Sequence, residues 1–159
     1  MHLTTFADLG LRSMMILGDL PEGERLTIGK LAEATNASEN HLARVIAKLA
    51  DLGFVTSIRG RNGGVHLPDT ARGASVGQIL RKLEGPGEVV DCEGGKPCPL
   101  ASRQCALRHR LAQAREAFFV ELDGDTIEDL IRATRAAQTR TEETRGSSAT
   151  LGVPIVRTS

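Results

Sequence analysis

Apolar positions along this chain fall into three regimes. In the first, Phe6, Leu9, Ile16, Leu17 and Leu20, with Ser13 among them, recur at helical spacing until Pro21 and Gly23 interrupt the pattern, which predicts an amphipathic helix. Its main face leaves Asp8, Leu11, Arg12 and Met15 on another side, and two apolar side chains beside a carboxylate there point to a second contact surface. Thr27 then caps a short helix over IGKLAEAT with Ile28, Leu31 and Ala32 inward. The chain turns at NA, and Ser38 caps a second helix over ENHLARVIAKLADL that ends at Gly53. Leu42, Val45, Ile46, Leu49 and Leu52 form its inner face; Asn40, His41, Arg44 and Lys48 form the outer one.

The second regime is β-prone. FVTSI and VHL flank RGRNGG, a glycine-rich loop with two arginines, and predict a hairpin. Two close-coupled helices followed by a hairpin is the order of a winged helix-turn-helix, whose second helix enters a DNA major groove.

In the third regime Ser75 and Gln78 box the start of VGQILRKLE, whose stripe is Val76, Ile79, Leu80 and Leu83 and whose stop is Gly85 with Pro86. Beyond Cys105, Leu107, Leu111, Ala114, Phe118 and Leu122 draw a narrow seam along a long helix, a pattern suited to pairing between subunits. Asp125 with Glu128 starts a last short helix through Ile127, Leu130 and Ile131. The predicted fold is mainly α with a small β-hairpin wing, a winged helix-turn-helix plus a long dimerisation helix. Residues 1–85 form the DNA-binding domain, 86–105 a cysteine-bearing loop, and 106–136 the dimerisation and C-terminal helices. The Thr/Ser-rich stretch 137–159 lacks periodicity and is expected to be a disordered tail.

Composition narrows what this scaffold does. Twenty basic and twenty acidic residues cancel, so a nucleic acid must be held by a local patch and not by the net field. Ser38, Asn40, His41, Arg44 and Lys48 on the second helix, with Arg59, Arg61 and Asn62 on the wing, supply donors for base edges and cations for phosphate or a narrow minor groove. The plainer reading, a solvated helix face and a surface turn, is outweighed by the adjoining hairpin. His66 reads as a hairpin side chain, and Met14 and Met15 as packing residues. Four Phe with no Tyr or Trp leave little platform for stacked single strands. Neither GxSxG nor GxxxxGK[ST] occurs, so no enzyme is expected. No apolar run would span a bilayer, and Asp8 and Arg12 break the first stretch as a signal core, which leads us to expect a cytoplasmic protein.

Cys92, Cys98 and Cys105 are the only thiols, spaced C-x5-C-x6-C in DCEGGKPCPLASRQC. In a reducing cytosol such an odd group speaks for metal or redox chemistry. A structural zinc site prefers a close C-x2-C or C-x4-C knuckle, absent here, and unliganded thiols are the plain alternative. Soft thiolates spread over an extended loop fit an iron-sulfur cluster. Three of them leave a cubane one ligand short, and either His109, one helical turn after Cys105, or a carboxylate from elsewhere stands open for that place.

The stretches LTTFADLGLRSMM, SENHLARVIAKLADLGFV, IRGRNGGVHL, VGQILRKLEG and EVVDCEGGKPCPL closely resemble the NsrR-like nitric-oxide-sensing repressors of the Rrf2 superfamily, which also contains the IscR-like regulators. The resemblance runs from residue 1 to about residue 135. It implies a homodimeric repressor that binds palindromic double-stranded DNA, responds to nitric oxide, and holds a 4Fe-4S cluster in the 86–105 loop through Cys92, Cys98 and Cys105. It also implies a fourth ligand from an aspartate near the N-terminus of the partner subunit. Asp8, in TFADLGLR, stands at that position, with Arg12 one turn on to orient or pair with it. This chain departs in a second cysteine gap one residue longer than the family's usual one. It also has Arg108 where IscR-like members carry a histidine, His109 following. An IscR-like sensor of cluster supply and a zinc-stabilised structural regulator are the alternatives.

Overall fold

The computed structural model describes residues 2–60, 63–92, 98–100 and 105–148, with side chains as far as residue 141. Among them the elements run α1 (Thr5–Asp19), α2 (Ile28–Thr35), α3 (Glu39–Asp51), β1 (Thr56–Ile58), β2 (Gly64–His66), α4 (Asp69–Arg72), α5 (Val76–Glu84), α6 (Ala106–Glu121), a 3-10 turn (Leu122–Gly124) and α7 (Ile127–Ser148). Polar side chains decide where several of these begin. Thr4, Thr27, Ser38 and Ser75 stand at N-caps, and each hydroxyl accepts the N–H three residues on, at 3.1 to 3.3 Å.

α2 and α3 meet through Asn36, whose φ of 53° and ψ of 45° make the left-handed turn of the helix-turn-helix. In the wing, Thr56, Ser57 and Ile58 pair antiparallel with His66, Val65 and Gly64. Leu26 adds a one-residue third strand: its N–H donates to the Val65 carbonyl at 3.0 Å and its carbonyl accepts from Val65 at 2.8 Å. Both sides of β2 are thus paired, and Val65 is buried.

α1 runs through the middle, with α2, α3, α5 and α7 packed on it. Met14, Leu42, Val45, Leu49, Ile79, Leu80 and Ile127 are fully buried around it. Because partners crowd α1 on several sides, its buried set is Ala7, Leu9, Gly10, Ser13, Met14, Leu17 and Gly18, whereas the predicted stripe members Phe6, Ile16 and Leu20 are only half-buried. At Gly18 α7 approaches α1 closely: a Cβ there would stand 2.4 Å from Ile131 Cδ1 and 2.9 Å from Leu67 Cδ2, so either side chain would have to turn aside to admit one.

Three expectations need correction at the C-terminal end. The start of α7 is capped by Thr126 and not by Asp125: Thr126 Oγ1 accepts from Asp129 N–H and an Asp129 oxygen accepts from Thr126 N–H, both at 3.1 Å. Asp125 is held extended instead, its carbonyl accepting from Val76 N–H at 3.0 Å, and Glu128 turns to Arg72 at 2.6 Å. Short α4, which no periodicity announced, supplies that arginine, whose Nη2 also donates to the Gly18 carbonyl at 3.0 Å. Finally, α7 is not a short helix with a disordered tail from 137. It continues to Ser148, and residues 149–159 lie outside the described residues. The helix thus runs on through a stretch that carries no apolar stripe. Among the described residues no helix is long and apolar enough to cross a membrane.

One core position is imperfect. Ser13 is fully buried on α1, and its Oγ has no hydrogen-bond partner among the described residues. Ser13→Ala is therefore expected to stabilise the fold by about 1 kcal/mol, since it removes an unsatisfied polar atom and adds helix propensity. A thermal melt should move up by about 2–4 °C; an unchanged or lower midpoint would mean that the hydroxyl is satisfied in solution.

Candidate functional site

The outer face of α3 is set by what its inner face buries. With Leu42, Val45, Ile46 and Leu49 in the core, Asn40, Arg44 and Lys48 are exposed. Ala43 and Ala47 are exposed between them, short enough to let the helix backbone approach a base edge or a thymine methyl; their lack of polarity hid them from the sequence reading. Ser38 is committed to its cap, and Glu39 lies against Gly29 of α2, bracing the turn. His41 is half-buried, its ring tilted against Phe6 with centroids 6.3 Å apart, which places it at the α1–α3 seam. On the wing Arg59 is exposed, whereas Arg61 and Asn62 lie outside the described residues. Arg25, which the sequence reading passed over, lies beside Gly64 of β2. The Leu26–Val65 pairing puts it there, and only the tertiary contact reveals it.

Cys92, Cys98 and Cys105 are free, half-buried thiols. The Cys98 N–H donates to the Cys92 carbonyl at 3.1 Å, drawing the loop's two described arms together. Cys105 occupies the N-cap of α6, and its carbonyl accepts from His109 N–H at 3.2 Å. Burial pushes the Cys92 thiol up; Arg108 pulls it down, and Cys98, Glu88 and Cys105 add to the upward push. The three sulfurs and Arg108 therefore share one electrostatic neighbourhood.

Among the described residues no three His, Cys, Asp or Glu side chains converge on a single ion position. A tetrahedral zinc needs its donors around one centre, whereas each thiolate of a cubane meets a different iron, so the donors stand farther apart. The set of Cys92, Cys98 and Cys105 supplies soft thiolate donors of the kind such a cluster takes. A cavity of about 750 Å³ adjoins it between residues 86–90 and α6, lined by Val89, Cys105, Arg108, His109 and Leu111 among others. Arg108 also lines a neighbouring space of about 400 Å³ with Cys92. Its guanidinium meets the Glu88 carboxylate through two bonds, Nε to Oε2 at 2.7 Å and Nη2 to Oε1, and this holds the Glu88 carboxyl below its usual range.

Asp8 lies in the first turn of α1 and accepts from Arg12 Nε at 2.8 Å. Thr4, at the cap, is fixed to the last turn of α5 through Glu84, its N–H donating at 2.7 Å. Along α6 only Phe119 is buried, while Leu107, Phe118 and Val120 are 63%, 38% and 56% exposed. The predicted seam is thus left open by the single chain.

Comparison with known proteins adds to this geometry. Residues 3–133 match the Rrf2 family, described as an iron-dependent transcriptional regulator. Over 134 residues the chain is 47% identical to the HTH-type transcriptional repressor NsrR of Streptomyces coelicolor, covering 84% of this chain and 90% of that protein. CymR (YrzC), the global cysteine regulator of B. subtilis, superposes with a TM-score of 0.63 at 28% identity, over 84% of this chain and 98% of that one. T. potens IscR superposes at 0.66 and 25% identity, over 87% and 91%.

Proposed function

This chain belongs to the Rrf2 family of transcriptional regulators and is a repressor, not an enzyme, and on that premise we propose that it senses nitric oxide through a 4Fe-4S cluster held in a cytoplasmic homodimer. The observation that carries the reading is the set of three half-buried free thiols, with the Cys98 N–H on the Cys92 carbonyl at 3.1 Å and Arg108 lining one space with Cys105 and another with Cys92. When bound, the cluster supplies iron that nitric oxide can attack. Cys92, Cys98 and Cys105 would hold it, and Asp8 of the partner subunit would complete it. A carboxylate is a harder and more replaceable donor to iron than thiolate, so Asp8 would be the ligand most readily exchanged. Once released, Asp8 has a resting place on Arg12. The two side chains are 38% and 60% exposed, and pairs of that kind contribute about 0–1 kcal/mol, so exchanging one partner for another costs little. The open seam on α6, with Leu107 and Phe118, supports pairing with a second copy. Two α3 helices so linked would read the half-sites of a palindromic operator.

The reading is tested by purification without oxygen, iron and sulfide analysis, and titration with nitric oxide while binding to operator DNA is followed. Brown protein of 4Fe-4S stoichiometry that loses operator affinity on titration is expected; colourless zinc protein would end the proposal. His109 beside Cys105 in the cavity favours one second reading, an IscR-like ligand set within the chain. That reading prevails if His109→Ala alters the spectrum and the nitric oxide response while Asp8→Ala alters neither.

The DNA face carries its own expectation. Arg44→Ala should weaken operator binding by about 1–3 kcal/mol, roughly 5- to 150-fold, if the guanidinium reaches a base edge. Fluorescence anisotropy at fixed salt reads the loss, and circular dichroism should be unaltered because Arg44 is exposed.

A further inference from the structure

The chain leaving the winged domain does not hang free between α5 and the cysteines. It runs antiparallel to α6 and is joined to it by successive contacts. At the start of α5, a Cβ on Gly77 would stand 2.2 Å from the Phe119 carbonyl oxygen and 2.3 Å from Asp123 Oδ1, so the two backbones touch and cannot slide there. Four residues on, Arg81 bonds Asp123 at 2.7 Å and Glu116 at 2.6 Å. The Gly85 carbonyl then accepts from Arg115 Nη2 at 2.7 Å. Last comes the two-bond pair of Glu88 with Arg108, four residues before Cys92 on one arm and three after Cys105 on the other.

We propose that Glu88 and Arg108 are positioning residues whose paired contact fixes the separation of the two arms carrying Cys92 and Cys105, and so joins a change at the cysteines to α5 and the winged domain. The proposal rests on the cluster reading above for what the cysteines hold. The other contacts fix one end: Gly77 is jammed against α6, and Arg81 and Arg115 hold the middle. The Glu88–Arg108 pair closes the end nearest the sulfurs. A planar guanidinium that meets a carboxylate through two N–H bonds sets orientation as well as distance, which a lysine ammonium, a point charge, does not. The same contact brings Arg108 within electrostatic reach of Cys92. Through α5, which packs on α1, and α1, which packs on α3, the fastened arms adjoin the DNA-reading helix.

The test uses Glu88→Gln and Arg108→Lys in the full chain. In reduced, metal-free protein, hydrogen–deuterium exchange of amides 88–92 should quicken at least tenfold in both variants, with peptides of α1 to α3 unaffected. In protein loaded anaerobically, loss of the cluster to a chelator should quicken at least fivefold. A purely electrostatic role would leave the lysine variant like the wild type, because the charge is retained, and that result overturns the positioning role. So does exchange within twofold of wild type in Glu88→Gln, exchange that rises equally throughout the chain, or faster local exchange with an unaltered cluster lifetime. Wild-type protein that holds no iron would remove the sensing reading, while exchange in the metal-free protein still decides the clamp.

Discussion

Phe119→Ala is expected to lower the unfolding free energy by about 3–5 kcal/mol, the range for emptying a fully enclosed aromatic site. Phe119 is 1% exposed and is the one buried residue of α6, so it is the apolar anchor beside the polar contacts that Arg108, Arg115 and Glu116 make. Its ring lies under two guanidinium groups, Arg81 at 5.4 Å and Arg115 at 4.9 Å, and edge-on to Phe118 at 5.6 Å. Truncation removes the apolar anchor and the face on which both arginines rest. Those arginines also fasten the approach to the cysteines, so the same change should loosen that approach. Urea unfolding of the metal-free protein reads the loss, and a decrease below 1 kcal/mol would show that α6 is held by other means. Phe118→Ala is the control: its exposed ring should contribute little to chain stability and more to association.

Replacing any one of the three cysteines by serine is expected to remove most of the cluster absorption and with it the response of operator binding to nitric oxide. Cys105→Ser is the most informative of the three. Cys105 is the N-cap of α6, where serine is a favoured residue, so the substitution takes away a thiolate while it strengthens the start of the helix. Loss of the cluster in that variant cannot then be ascribed to an unwound α6, provided that circular dichroism is preserved. Anaerobic reconstitution followed by absorption spectroscopy is the measurement. A Cys105→Ser protein with the full wild-type spectrum would refute the three-thiolate site.

What the sequence determined by itself was whatever depends on neighbours a few residues away. The stripe Leu42, Val45, Ile46, Leu49 fixed α3 and its outer face, Thr27, Ser38 and Ser75 fixed three helix starts, and FVTSI with VHL fixed the hairpin. Capping bonds span three residues and apolar stripes repeat every three or four, so both can be read along the chain. The tertiary structure decided what depends on distant partners. Phe6, Ile16 and Leu20 are only half-buried because α1 is packed on several sides at once, and Thr126 displaces Asp125 as a cap because the Asp125 carbonyl is taken by α5. His41 leans on Phe6, Arg25 joins the wing through Leu26, and Phe119, not its neighbour, is the anchor of α6. Cysteine spacing singled out the stretch from Cys92 to Cys105, but the pairing of Glu88 with Arg108, twenty residues apart, could not be read from it. A charge's partner is set by how the helices dock, and no local repeat records that.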